Sequence, residues 1–205
     1  MPAEEPVVLV VDDDASARSA IESLLNSVGL RFQTFASASE FLERALPDAP
    51  CCLVLDVRLP RVSGIELQRD LVARGATIPI IFITGHGDIP MSVEAMKAGA
   101  MEFLTKPFRG QVLLDAIHKA IDRDRSNRQE TAQLAELRAR IDSLTPRERE
   151  VMSRVIAGKL NKEIAAELGA SERTVKIHRA SLMRKMGAES LPDLVRMNER
   201  VKISP

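Results

Sequence analysis

The stretch VVLVVDDD at residues 7–14 decides the fold, because five apolar residues are followed directly by three carboxylates. An unbroken Val and Leu run of this length is typical of a strand that is buried on both faces, as in a parallel sheet. The next segment, Ser16–Val28, has apolar residues at helical spacing and stops before Gly29. The sequence therefore predicts a buried strand, an acidic strand end and then a helix.

The same alternation continues over the first 121 residues. Amphipathic segments separate further short apolar runs, and Gly75 and Gly99 stand where helices should end. Five strands alternating with five helices predict a doubly wound α/β domain with a parallel sheet and right-handed crossovers. The four further runs are Arg31–Phe35, Cys51–Leu55, Ile78–Ile83 and Glu102–Leu104.

Charge divides the chain, although the net charge of all 205 residues is zero. Residues 1–121 have 11 Lys and Arg against 16 Asp and Glu, a net charge of −5. Residues 122–205 have 18 against 13, a net charge of +5. We predict an acidic domain over 1–121, a linker over 122–143 and a basic domain over 144–205, for which a polyanion is the favoured ligand.

The predicted linker has a short apolar repeat after a run of mixed charges. Leu134, Leu137, Ile141 and Leu144 are separated by three, four and three residues, which covers less than two heptads. Two interpretations stay open: a helical linker alone, or a linker helix that also pairs with a second subunit.

No segment predicts a membrane or secreted location. No apolar run reaches the roughly 18 residues of a membrane span, and Met1–Pro6 lacks the basic start of a signal peptide. Cys51 and Cys52 are neighbours that point to opposite faces of a strand, so a disulfide between them is not expected. We interpret them as core residues of a cytoplasmic protein in a reducing compartment.

Polar side chains end four of the predicted strands. Asp12 and Asp13 follow the first strand and Asp56 ends the third, and these strands are neighbours if the strand order is 2-1-3-4-5. Carboxylates gathered there would repel one another unless a hard cation such as Mg²⁺ binds them. Thr84 and Lys106 at the ends of the fourth and fifth strands add a hydroxyl and a point charge suited to a phosphate. This set predicts phosphoryl transfer to a carboxylate.

These residues resemble the flavodoxin-like receiver domain of bacterial response regulators over the whole of residues 1–121. The resemblance implies that Asp56 accepts phosphate from a sensor histidine kinase, and that Thr84 and Lys106 bind the phosphoryl oxygens. It implies Mg²⁺ ligation by Asp12, Asp13, Asp56 and the backbone carbonyl of Arg58. The matching segments are Asp12-Asp13, Leu55–Pro60, Thr84–Gly87 and Lys106–Phe108.

The resemblance also implies a switch and its surface. Phe103 takes the position of the switch aromatic, and its lack of a hydroxyl excludes a switch that needs a tyrosine hydrogen bond. The Lys106–Pro107 bond is expected to be cis. The remodelled surface would comprise a fourth helix at about Pro90–Ala98, the fifth strand and the fifth helix. We interpret His86 as a loop residue near the site entrance rather than a general base.

The basic domain has the pattern of a helix-turn-helix. Thr145–Glu148 predicts a capping box with Pro at the first helical position, and a fourth helix should start near Ser190. Asn161 and Ser171 are predicted caps of the two helices around the turn at Gly169-Ala170. The predicted packing face of the longer helix consists of Val175, Leu182 and Met186, and it is left open whether Ile177 also belongs to it.

Charge alone would also fit an ordinary helical hairpin, but three segments resemble the LuxR-type DNA-binding domain. They are Leu144–Val151, Gly158–Ala165 and Ser171–His178, and the whole chain resembles a response regulator of the FixJ/NarL type. The resemblance implies base-edge contacts from Lys176, Ile177 and Arg179-Ala180, and a dimer surface at Leu191, Leu194 and Val195. It implies phosphate contacts from Asn161, Lys162, Thr174, His178, Arg184 and Lys185.

Three functions are compared. The favoured one is a transcription regulator, with activation favoured over repression. After phosphorylation its homodimer would bind an imperfect palindrome in double-stranded DNA. RNA polymerase is a further candidate partner. The second is an enzyme that hydrolyses an external phosphate ester with Mg²⁺, for which the chain offers no clear second acid or base. The third is a constitutive DNA-binding protein whose receiver is a dimerisation scaffold. The presence of both Asp56 and Lys106 argues against it, because a scaffold needs neither residue. We expect no enzymatic activity other than the receiver's own uptake and slow loss of a phosphoryl group.

Overall fold

The computed structural model describes residues 5–85 and 89–203, which divide into two compact units between Arg128 and Gln129. The first unit contains a parallel sheet of five strands in the order β2-β1-β3-β4-β5. This confirms the predicted doubly wound fold and its strand order. The strands are β1 (Val7–Val11), β2 (Arg31–Phe35), β3 (Cys51–Asp56), β4 (Ile80–Thr84) and β5 (Glu102–Thr105).

Among the described residues, five helices accompany these strands, and the core lies on both faces of the sheet. Every residue of β1, β3 and β4 is buried, whereas β2 at the edge exposes alternate residues such as Arg31 and Gln33. Leu9 and Leu53 pack on one face, and Val8 and Val54 on the other. The helices are α1 (Ala15–Ser27), α2 (Ala38–Leu42), α3 (Gly64–Ala73), α4 (Ile89–Lys97) and α5 (Gly110–Asp142).

The start of β4 differs from the prediction. The sequence placed it at Ile78, but the strand begins at Ile80. Pro79 has no N–H to donate to the neighbouring strand. Only its carbonyl takes part in the sheet, by accepting a hydrogen bond from Leu53 N at 2.9 Å. Ile78 is buried all the same, because it packs into the core just before the strand.

The second unit is helical and consists of the end of α5 with α6 (Pro146–Ile156), α7 (Asn161–Leu168), α8 (Glu172–Met186) and α9 (Leu191–Ile203). Its core includes Val151, Ile164, Val175, Leu182 and Leu194, all at most 1% exposed. The helix-turn-helix pattern of the sequence corresponds to α7 and α8.

The caps of these helices follow the sequence at two of three predicted positions. The capping box at Thr145 and the cap at Ser171 are confirmed. The prediction that Asn161 caps α7 is wrong, because Leu160 takes the cap position and Asn161 is the first helical residue. Glu163 Oε2 accepts the backbone N–H of Leu160 at 2.7 Å, which supplies half of a capping box without a polar cap side chain.

The predicted linker is helical through residue 142 as part of α5. Its first part contributes Asp124, which is 2% exposed and accepts hydrogen bonds from Cys51 N at 2.9 Å and Arg128 Nε at 2.8 Å. Its last part contributes Leu137 to the core of the second unit. The functional boundaries at 121/122 and 143/144 stay a prediction.

Both cysteines are buried and form no disulfide. Burial, with the nearby Asp124 carboxylate as a second cause, raises the pKa of the Cys51 thiol to about 11. Burial also raises the pKa of Cys52. Within the described ranges, none of the helices combines the length and apolar character needed to cross a membrane.

Candidate acidic site and nucleic-acid interface

The carboxylates predicted to meet do so at the carboxyl edge of the sheet. Asp12 follows β1 and Asp56 ends β3, and with Asp13 they place one carboxylate oxygen each within 4.8 Å of one another. Asp12 is fully buried and Asp56 is 7% exposed, whereas Asp13 faces solvent. Two buried acids and one exposed acid therefore share one small volume.

Lys106 supplies the positive charge between the two buried carboxylates. Its Nζ donates to Asp12 Oδ2 at 2.5 Å and to Asp56 Oδ2 at 2.7 Å. The residue follows β5, its backbone N–H bonds to Thr84 O at 2.7 Å, and the Lys106–Pro107 bond is cis as expected. Burial alone would lower the pKa of Lys106, but the bonds to Asp12 and Asp56 outweigh it and the pKa is raised.

Burial raises the pKa of Asp12 above its ordinary value, against the opposing effects of Lys106 and of the Asp14 backbone N–H. That N–H donates to Asp12 Oδ1 at 2.9 Å, and Arg58 N donates to Asp56 Oδ1 at 2.9 Å. Each buried carboxylate thus has one oxygen on a backbone N–H and the other on Lys106. This arrangement holds both groups in fixed orientations.

Two features of the site were missed from the sequence. Arg18 Nη1 donates to the carbonyl oxygen of Asp12 at 2.6 Å, which fastens α1 to the strand end. Gly64 lies against the backbone of Asp56, where an added Cβ would stand 2.3 Å from the carbonyl oxygen. The glycine was visible in the sequence, but its close approach to Asp56 depends on the packing of α3.

Of the remaining predicted residues, Thr84 lies at the same edge, whereas Phe103 lies opposite Phe82 in the middle of β4. Thr84 is the last residue of β4 and is fully buried. Phe103 is half-buried on β5, and its ring centroid lies 6.3 Å from that of Phe82. His86 and Gly87 fall outside the described residues.

The donor set fits a small hard cation. Three carboxylate oxygens from Asp12, Asp13 and Asp56 can approach one ion, and oxygen is the ligand that Mg²⁺ prefers. The exposed Asp13 leaves a side open to water and to a phosphate, which Mg²⁺ commonly keeps as ligands. The ligand role of the Arg58 carbonyl stays a prediction.

In the second unit, α8 has one buried face and one exposed face. Val175, Leu182 and Met186 are at most 1% exposed, as predicted for the packing face. Ile177 is 60% exposed, so its alternative assignment to that face is wrong. The exposed residues of α8 other than Glu172 include Arg173, Lys176, Ile177, Ala180 and Arg184, and Lys162 at the start of α7 is also exposed.

Several of the predicted DNA contacts are bonded within the protein. Arg179 Nη1 donates to Asn161 Oδ1 at 3.0 Å, which links α8 to the start of α7. Lys185 Nζ donates to Glu148 Oε2 at 2.7 Å and to Ser143 O at 3.2 Å. Thr174 and His178 are half-buried on α8.

Glu148 does more than complete the capping box predicted from the sequence. Its carboxylate is 5% exposed and also accepts from Ser181 Oγ at 2.7 Å. The bond from Lys185, followed by those from Ser181 and the Thr145 backbone, lowers the pKa of Glu148 to about 2. A capping motif predicts only the local part of this network.

The structure differs from the sequence-based expectation at α9 and at the end of α5. Leu194, expected on a dimer surface, is fully buried in its own unit, because it packs inward from α9; Leu191 and Val195 beside it are half-buried. Arg140 Nη1 donates to Met186 O at 2.8 Å and so caps the end of α8. Nothing in the spacing of charged residues predicted this cap.

Comparison with known proteins decides the family. The family described as response regulator receiver domain matches residues 8–118, and bacterial regulatory proteins of the luxR family match residues 142–198. The chain is a two-component response regulator. This response regulator is 52% identical to nodulation protein W of Bradyrhizobium diazoefficiens over 198 residues, which cover 97% of this chain and 87% of the relative.

Further relatives span nearly the whole chain. The response regulator is 45% identical to the transcriptional regulatory protein FixJ of Azorhizobium caulinodans, over 100% of this chain and 97% of the relative. Among solved structures, the response regulator StyR is 50% identical with a TM-score of 0.88, covering 96% of this chain and 99% of that one. Full-length FixJ from B. japonicum is 41% identical with a TM-score of 0.59, covering 99% and 100%.

Membership gives the two units a general role. A receiver joined to a LuxR-type domain implies a kinase partner and binding to DNA, and the family consists of transcription regulators. Receiver domains typically bind Mg²⁺ through acidic residues, and the Asp12, Asp13 and Asp56 cluster of the response regulator offers that set.

Proposed function

We propose that Asp56 of this response regulator is phosphorylated by a sensor histidine kinase, and that its phosphorylation controls dimerisation and DNA binding, with activation of transcription as the favoured result. The observation that carries the proposal is the bond from Lys106 Nζ to Asp56 Oδ2 at 2.7 Å in a nearly buried site. A purely structural lysine would not require a carboxylate cluster with an exposed third member, Asp13.

The site can perform the transfer as follows. A carboxylate oxygen of Asp56 attacks the phosphorus of a phosphohistidine, the new O–P bond forms, and the N–P bond breaks with its electron pair returning to the histidine ring. Lys106 is placed to neutralise the charge of the phosphoryl oxygens, and we assign the hydroxyl of Thr84 to donate to one of them. Mg²⁺ held by Asp12, Asp13, Asp56 and the Arg58 carbonyl would supply further charge neutralisation.

The switch would act through α4, β5 and α5. Phe103 is half-buried on β5 and can take a more buried position when Thr84 turns to the phosphoryl group. Just after the end of α4, the carbonyl of Ala98 accepts a hydrogen bond from Gln68 Nε2 at 3.0 Å, while Gln68 Oε1 has no partner among the described residues. A buried acceptor without a donor is costly, and a shift of α4 could relieve that cost.

The same region offers a surface for a second copy. Val93 and Met96 on α4 are 44% and 45% exposed, and Val112 on α5 is 43% exposed. Phosphorylation that favours one arrangement of this surface would shift the population towards a homodimer. Two DNA-binding domains would then read two half-sites, so an imperfect palindrome is the proposed target.

The proposed contacts to DNA lie on α7 and α8. The exposed Ile177 offers an apolar contact for a thymine methyl group, and Lys162 and Arg184 offer exposed charges for phosphates. RNA polymerase is a further candidate partner of the bound dimer. The full proposed set is Asn161, Lys162, Thr174, Lys176, Ile177, His178, Arg179, Arg184 and Lys185.

The experiment treats the full chain with acetyl phosphate and Mg²⁺ and follows the intact mass. We expect a gain of one phosphoryl group that Asp56→Asn abolishes, and no loss of that gain in Asp115→Asn, an exposed carboxylate on α5. Genomic DNA fragments bound before and after the treatment are then sequenced. Uptake that survives in Asp56→Asn would refute Asp56 as the acceptor, and identical fragments in both states would favour the scaffold function.

A further inference from the structure

Two of the three arginines of α8, Arg173 and Arg179, lie on opposite sides of the helix, and the third, Arg184, is exposed towards its C-terminal end. Taking 100° per residue, Arg179 is four residues after Val175 and three before Leu182, so it shares the flank of these two core residues. It is half-buried there. Arg173 is four residues before the 60% exposed Ile177 and lies on the exposed outer side with it.

The two guanidinium groups also differ in what they contact. Arg179 is held by Asn161 Oδ1 at 3.0 Å, across the turn between α7 and α8. Within residues 5–85 and 89–203, the side chain of Arg173 has no hydrogen bond or ion pair. Its neighbour Glu172 lies 3.6 Å from Lys176 Nζ and partly neutralises that lysine instead. Arg173 therefore keeps its donors and its charge for an external ligand.

Position along the helix favours a base edge over a phosphate for Arg173. It is the second residue of α8, and a recognition helix presents its N-terminal residues to base edges in the major groove. Helical side chains lean towards the N-terminus, which carries the Arg173 head further in that direction. An arginine reads guanine through two parallel hydrogen bonds, for which an unengaged guanidinium is needed.

We infer that Arg173 is a specificity-determining residue that reads a guanine in each half-site, and that Arg179 is a positioning residue that fixes α8 against α7 through Asn161. The inference rests on the proposed binding of α8 to DNA and assigns roles within it. It revises the proposed set of DNA contacts at these residues: Arg173 joins the set as a base-reading arginine, and Arg179 with Asn161 acts on DNA through the placement of α8 and not through a contact of its own.

The test selects bound sequences from a random DNA pool with the full chain treated with acetyl phosphate and Mg²⁺. Arg173→Ala should lose the preference for one guanine per half-site and keep the other preferences, with about a 5- to 150-fold loss on the preferred site, as 1–3 kcal/mol implies. Arg179→Ala and Asn161→Ala should weaken binding to all selected sequences alike and keep the base preferences. Lys162→Ala serves as the matched charge control, with a smaller salt slope and unchanged preferences.

The outcomes separate the roles from the proposed function itself. If Arg179→Ala loses a base preference while Arg173→Ala keeps all of them, the inference is overturned. It is also overturned if Arg173→Ala only reduces the salt slope, because Arg173 would then contact a phosphate. If the unsubstituted chain selects no sequence at all, the proposed DNA binding has failed, and the far-UV circular dichroism of each variant shows whether its helices are intact.

Discussion

Lys106 Nζ lies 2.7 Å from Asp56 Oδ2, at the site where a divalent cation would also approach that carboxylate. Two positive groups near one carboxylate oppose each other, so Lys106 weakens the binding of Mg²⁺ while it prepares the site for a phosphoryl group.

Lys106→Met should therefore bind Mg²⁺ more tightly and take up phosphate more slowly. We expect a gain of about 1–2 kcal/mol in Mg²⁺ binding at an intermediate effective dielectric. Calorimetric titration with Mg²⁺ measures the first effect, and the rate of mass gain with acetyl phosphate measures the second. Lys119→Met, an exposed lysine on α5, is the control. Weaker Mg²⁺ binding in Lys106→Met would contradict the account.

Gly64→Ala should destabilise the first unit, because the added Cβ would stand 2.3 Å from the Asp56 carbonyl oxygen. Overpacking of this kind costs about 1–3 kcal/mol. The chain has no Trp or Tyr, so urea unfolding is followed through thiol labelling of the buried Cys51 and Cys52.

Gly85→Ala is the matched control for Gly64→Ala, since a Cβ at Gly85 meets no described atom within 4 Å. Gly64→Ala should unfold at a lower urea concentration than Gly85→Ala. Equal midpoints would mean that the close approach of α3 to Asp56 does not constrain the site.

Acid should destabilise the second unit through Glu148, whose pKa is lowered from 4.5 to about 2 by Lys185, Ser181 and Thr145. A carboxylate with a lowered folded-state pKa stabilises the fold fully above pH 4.5, and this contribution is lost as the pH falls towards 2. Urea unfolding between these pH values, followed by NMR signals of Val151 and Leu182, measures the free energy of unfolding.

The Glu148→Gln variant should be less stable at pH 7 and should lose less stability in the acid window. Glu199→Gln, an exposed carboxylate on α9, should retain the full acid dependence. An unchanged acid dependence in Glu148→Gln would show that other carboxylates cause it.

Substitutions of Lys185 and Lys162 should have different effects, the first on the stability of the second unit and the second on phosphate binding. An ammonium has three donors, and Lys185 uses two of them on Glu148 and on Ser143 O. Lys185→Met should cost about 1–3 kcal/mol of stability, because the buried Glu148 loses its charged donor. Lys162→Met should reduce the slope of log K against log salt by about 0.9 and leave stability within about 0.5 kcal/mol. Full stability in Lys185→Met would contradict the structural role of the pair.

Periodicity and strand ends predicted most of the first unit because its contacts are local or follow from strand order. The runs at Val7–Val11 and Arg31–Phe35 match their strands residue for residue. Once β1 and β3 are neighbours, Asp12 and Asp56 must lie together at one edge. The site could therefore be located from sequence, although the shared bonds of Lys106 could not be measured from it.

Contacts between distant segments were not predictable. Asp124 bonds to the backbone of Cys51, 73 residues away, and Arg140 caps α8 at Met186, 46 residues away. A charged residue in a helical linker has the same sequence signature whether it faces water or a buried backbone group. The wrong prediction for the cap of α7 has a different, local cause, because Glu163, three residues after Leu160, accepts the backbone N–H of Leu160 and Asn161 becomes the first helical residue.

The affinity of the full chain for its selected DNA site, with and without acetyl phosphate and Mg²⁺, tests the central claim most directly when Asp56→Asn is measured beside it. The account predicts that phosphorylation tightens binding by at least about tenfold, or 1.4 kcal/mol, and that Asp56→Asn shows no such gain. Equal affinity in both states and in the variant would contradict it, because the receiver would then not control DNA binding.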